Sequence, residues 1–116
     1  MATPLLFDLS TIDLEACIGG PEELRAMLAQ RGTFEMLDGV IHRDVENEII
    51  VGFKDISKDA WWAADHIPER PLFPGALMIE AGAQLSSYDY KVRTPENATK
   101  FLGFAGVNNA RFRGVV

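Results

Sequence analysis

The run from Gly75 to about Tyr90 constrains this chain more than any other feature. Ala76, Leu77, Met78, Ile79, Ala81, Ala83 and Leu85 place apolar side chains almost all round a helix. A helix without a polar face has to be buried, so the fold must be built around this one. Its start is set from outside, because Pro68, Pro71 and Pro74 precede it at intervals of three. Each proline lacks an N–H and restrains the residue before it, which excludes both a helix and a central strand there. The stretch from Asp55 to Gly75 is therefore a long loop, and a long ordered loop in a small domain is usually functional. Glu80 and Gln84 interrupt the apolar surface, and being one turn apart they share a face. Gly82 inside the helix costs about 1 kcal/mol of propensity, which predicts close packing against a sheet.

The rest of the chain offers simpler elements. Pro21, Glu22 and Glu23 read as a helix start, since proline suits the first turn and acidic groups favour the positive dipole end. Leu24, Met27 and Leu28 fall on one face of that helix, which stops at Gly32. Phe34 to Ile41 reads as a strand, bent or bulged at Asp38-Gly39. The polar cluster from His42 to Asn47 is a hairpin connection. From Glu48 the alternation is clean, with Ile49, Val51 and Phe53 on one face and Ile50, Gly52 and Lys54 on the other. The two runs predict an antiparallel hairpin. Arg93 to Lys100 is a polar connection, and Phe101 to Val107, apolar and glycine-containing, reads as a buried strand. No repeat or internal boundary divides the chain, which forms a single domain over residues 1–116.

Length and charge narrow the function. A chain of 116 residues can build one core, but at this size its stability would be modest without a partner. The net charge of −6 speaks against nucleic acid as the main partner, because phosphate binding needs clustered Lys and Arg. Cys17 is the only cysteine, so no intrachain disulfide is possible and it reads as a small buried or half-buried apolar residue. The start Met1-Ala2-Thr3-Pro4 lacks the basic, apolar character of a secretory signal. No apolar run reaches the ~20 residues of a membrane span. The expected location is the cytoplasm.

The chemistry lies between His66 and Gln84. A histidine on a stiff proline-rich loop titrates near neutral pH and can take or give a proton. A carboxyl on an apolar helix, Glu80, can stay protonated and act as an acid. The free N–H groups at the Gly75 end of the helix could hold a developing oxyanion. That combination suits proton abstraction beside a carbonyl. The residues alone leave other readings open: a loop histidine can be structural or solvated, and a helix glutamate can merely pair with an arginine.

The segment resembles the signature of the 3-hydroxyacyl-acyl-carrier-protein dehydratases of fatty-acid synthesis (FabZ type). His66, Pro68, Pro71, Pro74, Gly75, Glu80, Ala81, Ala83 and Gln84 match in register. Phe34 to Val40, Trp61-Trp62, Phe104 to Val107 and Ala110 to Arg113 add weaker likeness, so that the resemblance covers about residues 30–116. It implies an α+β hot-dog fold, a long central helix wrapped by an antiparallel sheet. It implies dimers, or trimers of dimers, with His66 from one subunit facing Glu80 of another. His66 would remove the alpha proton of a 3-hydroxyacyl thioester and Glu80 would protonate the departing hydroxyl. The Gly75 amide would hold the thioester oxygen and Gln84 would orient Glu80. No metal or other cofactor is implied, and the partner is an acyl carrier protein bearing the substrate. Arg111 and Arg113 are candidates for contact with that carrier or its phosphopantetheine, or are solvated residues at a strand end.

Departures from the pattern are local. Asp65 and Ile67 flank His66 where the family has Gly and Phe. Gly103 stands where some members carry an aromatic gate, and Glu80 replaces the Asp of the isomerising branch. The family continues with further strands past the point corresponding to Val116, so the domain is expected to be incomplete at this end. Two alternatives differ in class. One is a hot-dog thioesterase, in which the helix carboxylate drives hydrolysis; the other is a non-catalytic subunit that binds acyl carriers.

Overall fold

The computed structural model describes residues 4–116, so Met1 to Thr3 of the expected leaderless start lie outside the described residues. Four regular elements follow one another: α1 (Pro21–Met27), β1 (Gly39–Asp44), β2 (Ile49–Phe53) and α2 (Gly75–Arg93). Short 3₁₀ turns occupy Leu9–Thr11, Gly32–Phe34 and Pro95–Thr99.

α2 is the axis of the molecule, starting directly after Pro74 as the prolines dictate. α1 begins with Pro21 in its first turn, and the Glu23 carboxylate accepts a hydrogen bond of 3.0 Å from the Gly20 N–H. Such a reach back satisfies a donor that a helix start otherwise leaves unpaired. α1 ends at Met27, short of the Gly32 that the sequence proposed. There the Lys91 ammonium of α2 donates to the Met27 carbonyl at 2.8 Å, a cation at a helix C-terminus. Gly32 instead takes the left-handed conformation (φ 64°).

β1 and β2 form the expected antiparallel hairpin, with Gly39 opposite Phe53 and Asp44 opposite Ile49. The irregularity falls between Val40 and His42, not at Asp38-Gly39. Asn47 donates to Asp44 through both its backbone N–H (3.2 Å) and its side chain (2.8 Å), closing the turn. These bonds hold the Asp44 carboxyl below the usual carboxylate range. The face carrying Ile50 and Gly52 turns to α2. A Cβ at Gly52 would lie 2.9 Å from Leu85 Cδ1 and 3.0 Å from the Gly39 carbonyl, so only glycine lets helix and hairpin approach. Asp89 on α2 then binds Arg43 of β1 at 3.1 Å and Arg93, one turn on, at 2.7 Å.

Two apolar clusters flank α2. Leu24, Leu28, Val40 and Tyr88 form one; Met36, Trp62, Ala63 and Phe73 form the other. The Trp62 and Phe73 rings meet edge to face with centroids 5.2 Å apart, a favoured aromatic geometry. Trp61, beside it, is exposed and donates from its indole N–H to the Thr33 carbonyl.

Several expectations are corrected. Phe34 to Asp38 precede β1 and are not part of it. Their backbone groups are satisfied elsewhere: the Gln84 amide donates to the Phe34 carbonyl at 2.9 Å, and its oxygen accepts from the Met36 N–H at 3.1 Å. A side chain has replaced the strand partner. Phe101 to Val107 forms no strand and is exposed throughout. A strand needs a neighbouring edge to pair with; among the described residues the one sheet is β1 with β2, and the further bridge to β1 comes from Gly19, not from this run. Within α2 only Gln84 and Tyr88 are buried, because the hairpin, α1 and the Trp62 loop cover a part of its circumference. Gly82 is not a packing glycine, since a Cβ there would meet no heavy atom within 4 Å. Cys17 is exposed rather than buried. No helix among the described residues is long and apolar enough to cross a membrane.

Candidate active site

Gln84 organises the helix side of the site. It is 2% exposed, and besides its bonds to Phe34 and Met36 it donates to Glu80 Oε1 at 2.9 Å. The spacing of four residues makes this possible, and the backbone anchors at Phe34 and Met36 remove the amide's freedom to turn away. Glu80 is half-buried. One of its oxygens is occupied by Gln84, and the carboxyl is aimed by a side chain that is itself fixed.

Glu80 and Gln84 stand in the wall of a cavity of about 620 Å³ between α2 and the segment 102–107. Ile79, Ala83, Leu102, Phe104 and Val107 supply apolar lining, and Glu80 is the single charged residue among those that line it. A mainly apolar cavity of this size with one carboxylate in its wall has the character of a site for an apolar chain with a reactive polar end. Gln30 also lines it, and its side-chain oxygen is buried with no hydrogen-bond partner among the described residues. A donor on a bound molecule would complete that oxygen.

His66 lies apart from this wall, exposed on the proline-rich loop. Its backbone N–H donates to the Trp62 carbonyl at 2.8 Å, and ring Nδ1 lies 3.0 Å from the Leu72 carbonyl. A carbonyl only accepts, so Nδ1 carries a hydrogen, and in the neutral ring Nε2 then keeps the lone pair. The loop thus holds the imidazole in the tautomer a general base needs. Within the single chain no hydrogen bond links His66 to Glu80 among the described residues. The structure brings together Glu80 and Gln84, but not His66 with either.

Gly75 is the first residue of α2, where helix N–H groups lack intrahelical partners. The Phe112 ring packs over it: a Cβ at Gly75 would sit 3.0 to 3.2 Å from three ring carbons. Arg111 and Arg113, on either side of Phe112, are exposed and enter no ion pair among the described residues. No group of three metal-ligating side chains occurs among the described residues.

The FabA-like domain profile matches residues 28–116, which is most of the chain. The chain belongs to the FabA-like family. Its relatives include a 3-hydroxyacyl-acyl-carrier-protein dehydratase FabZ of Clostridium botulinum, 35% identical over 102 residues. That match covers 82% of this chain and 67% of the relative. Proteins of the same name from Geobacillus thermodenitrificans and Teredinibacter turnerae are 32% and 36% identical, over 79% and 78% of this chain. The chain spans 62% and 63% of those two relatives' length. The fold is accordingly the hot-dog type of α+β domain, seen here as its long helix against a two-stranded antiparallel sheet.

Sequence reasoning missed Gln30, which reaches the cavity only through tertiary folding, with no local signal to mark it. The resemblance marks 103–107 and Phe112, but their places in the cavity wall and over Gly75 follow from contacts distant in sequence. Ser87 and Tyr90 could have been found by extending the face of Glu80 along α2 at helical spacing.

Proposed function

We propose that this chain dehydrates 3-hydroxyacyl thioesters carried by acyl carrier protein, giving trans-2-enoyl thioesters for fatty-acid biosynthesis in the cytoplasm. The observation that carries this reading is Glu80, the lone charge in an apolar cavity, held by a buried Gln84 that is itself anchored to the backbone. The relatives named as dehydratases support the same chemistry.

In the reaction His66 Nε2 takes the alpha proton. The electron pair of that C–H bond forms the double bond to C3, the C3–O bond breaks, and Glu80 gives its proton to the leaving hydroxyl, releasing water. The Gly75 amide, at the positive end of α2, stabilises the thioester oxygen as charge builds there. Gln84 orients Glu80. Because His66 and Glu80 do not meet within one chain, the working site takes His66 from one subunit of a homodimer and Glu80 from the other, and such dimers can associate further as trimers. Arg111 and Arg113 face the acidic carrier protein. No metal or other cofactor takes part in these steps.

The test is turnover of a 3-hydroxyacyl-carrier-protein by the purified protein, read as formation of the enoyl thioester. Enoyl product is the expected result. Release of free thiol would assign the site to hydrolysis, and absence of both products would favour a carrier-binding subunit.

A further inference from the structure

Gln30 carries the one buried side-chain oxygen or nitrogen among the described residues that has no hydrogen-bond partner. Such orphans are rare, because a polar atom taken from water and left unpaired costs stability. The residue itself is firmly placed. It follows α1, and the Arg31 guanidinium donates to the carbonyls of Arg25 (2.9 Å), Leu28 (2.6 Å) and Gln30 (2.8 Å), pinning the chain where the helix ends. Gln30 and Gln84 line a narrow hollow with Leu24, Leu28, Leu37 and Glu35. The leucines offer no polar group. The Glu35 carboxylate only accepts, and it is already held by Arg25 and the Gly32 N–H. Gln84 spends its amide hydrogens on Phe34 and Glu80. On that side the fold gives the Gln30 oxygen no donor. On its other side Gln30 stands in the wall of the cavity of about 620 Å³ that contains Glu80. Gln84 lines both hollow and cavity and holds Glu80 at 2.9 Å, so Gln30 lies on the same side of α2 as the carboxyl.

We propose that Gln30 is a further catalytic residue, whose side-chain oxygen accepts the hydrogen bond of the substrate's 3-hydroxyl group as that group leaves. This rests on the dehydration reading above and adds to it a partner for the leaving group. A hydroxyl both accepts and donates. Glu80 delivers its proton to the 3-oxygen, and the hydroxyl's own hydrogen still needs an acceptor. Gln30 supplies one without adding a charge. The terminal torsion of a glutamine is soft, so the oxygen turns from the hollow to the cavity at little cost, and it gives up no hydrogen bond in turning. No proton passes to Gln30. The Glu80 proton forms the second O–H bond, the C3–O bonding pair goes to the oxygen, and water departs with both hydrogens. As the oxygen takes up that proton its O–H becomes a stronger donor. The bond to Gln30 therefore tightens towards the transition state, where binding raises kcat.

The test compares the wild type with Gln30→Leu and with Gln30→Met, which keeps the length of glutamine. Both should melt no lower than the wild type, since each replaces an unpaired oxygen by an apolar group. Turnover of 3-hydroxybutyryl pantetheine should fall about tenfold to a hundredfold in kcat, with a smaller change in KM, as for a bond to a group gaining charge. Unchanged kcat overturns the proposal. A lower melting temperature in both variants, or dissociation in sedimentation, also overturns it, since the oxygen would then serve the fold or a subunit contact. Calorimetry in the Glu80→Gln protein, where no turnover intervenes, keeps this result apart from the dehydratase reading. There 3-hydroxybutyryl pantetheine should bind roughly two- to tenfold more tightly than butyryl pantetheine. The difference should vanish when Gln30→Leu is added. A preference that survives the substitution, or that the parent lacks, overturns the role of Gln30. If the wild type forms no enoyl product, the dehydratase reading fails by itself. The same calorimetry then decides whether Gln30 binds the 3-hydroxyl: a lost preference sustains it and a surviving one overturns it.

Discussion

Residues 75–93 and 101–107 are both apolar and glycine-containing, yet one forms a 19-residue helix and the other forms no element. The run with no polar residue, 101–107, is the one that forms no element. The helix closes its own backbone hydrogen bonds within four residues, so it forms wherever propensity and a partly covered face allow. An extended run must borrow its partners from another strand, and among the described residues no backbone N–H of 101–116 donates to a backbone carbonyl. The two runs face one another across the cavity that holds Glu80. The wall of that cavity therefore joins a self-sufficient element to one that depends on its surroundings.

The strongest way to break this comparison is through chemistry. Glu80→Gln on the helix and His66→Ala on the loop should each lower dehydration ~10²–10⁴-fold with unchanged circular dichroism. Arg111→Ala in the distal stretch should cost far less, and mainly in KM for the carrier-bound substrate. Near-normal turnover by either of the first two variants would remove the assigned roles.

Backbone substitution should separate the regions next most clearly. Leu85→Pro deletes a helical hydrogen bond and clashes with the preceding turn, so it should cost about 3 kcal/mol or more. Gly106→Pro removes no backbone bond in the chain and should shift stability by less than about 0.5 kcal/mol. Denaturant midpoints measure both. A large loss from Gly106→Pro would mean that 101–107 is paired in the assembled protein.

Gln84→Leu leaves the Met36 N–H and the Phe34 carbonyl without their partners. Each orphaned group costs roughly 1–3 kcal/mol, and Glu80 loses its orienting amide as well. Stability and kcat should fall together, whereas Gln84→Glu should recover part of the Met36 bond and little of the activity.

The subtlest contrast is in amide exchange. The core of α2 should be protected and 101–107 should exchange freely at low protein concentration. Protection of 101–107 that appears as concentration rises would show that a second copy supplies the missing strand partner.

Local chemistry made much of this legible. Pro74 and the apolar run marked the start of α2, the alternation after Glu48 marked β2, and the step of four residues placed Gln84 beside Glu80. Each depends on interactions spanning a few residues, which a sequence displays directly. Tertiary structure decided the remainder. Phe34 to Met36 has the composition of a strand, but its backbone is claimed by a side chain roughly fifty residues away. Gly82 looked like a contact glycine and faces open space, while Gly52, unremarkable in its alternation, is the one against which Leu85 closes. Gln30, Leu102, Phe104 and Phe112 reached the site through contacts that no spacing encodes. Hydrogen bonds within a turn are set by neighbours along the chain. Strand pairing, side-chain capture of backbone groups and the walls of a cavity are set by whatever the fold brings alongside.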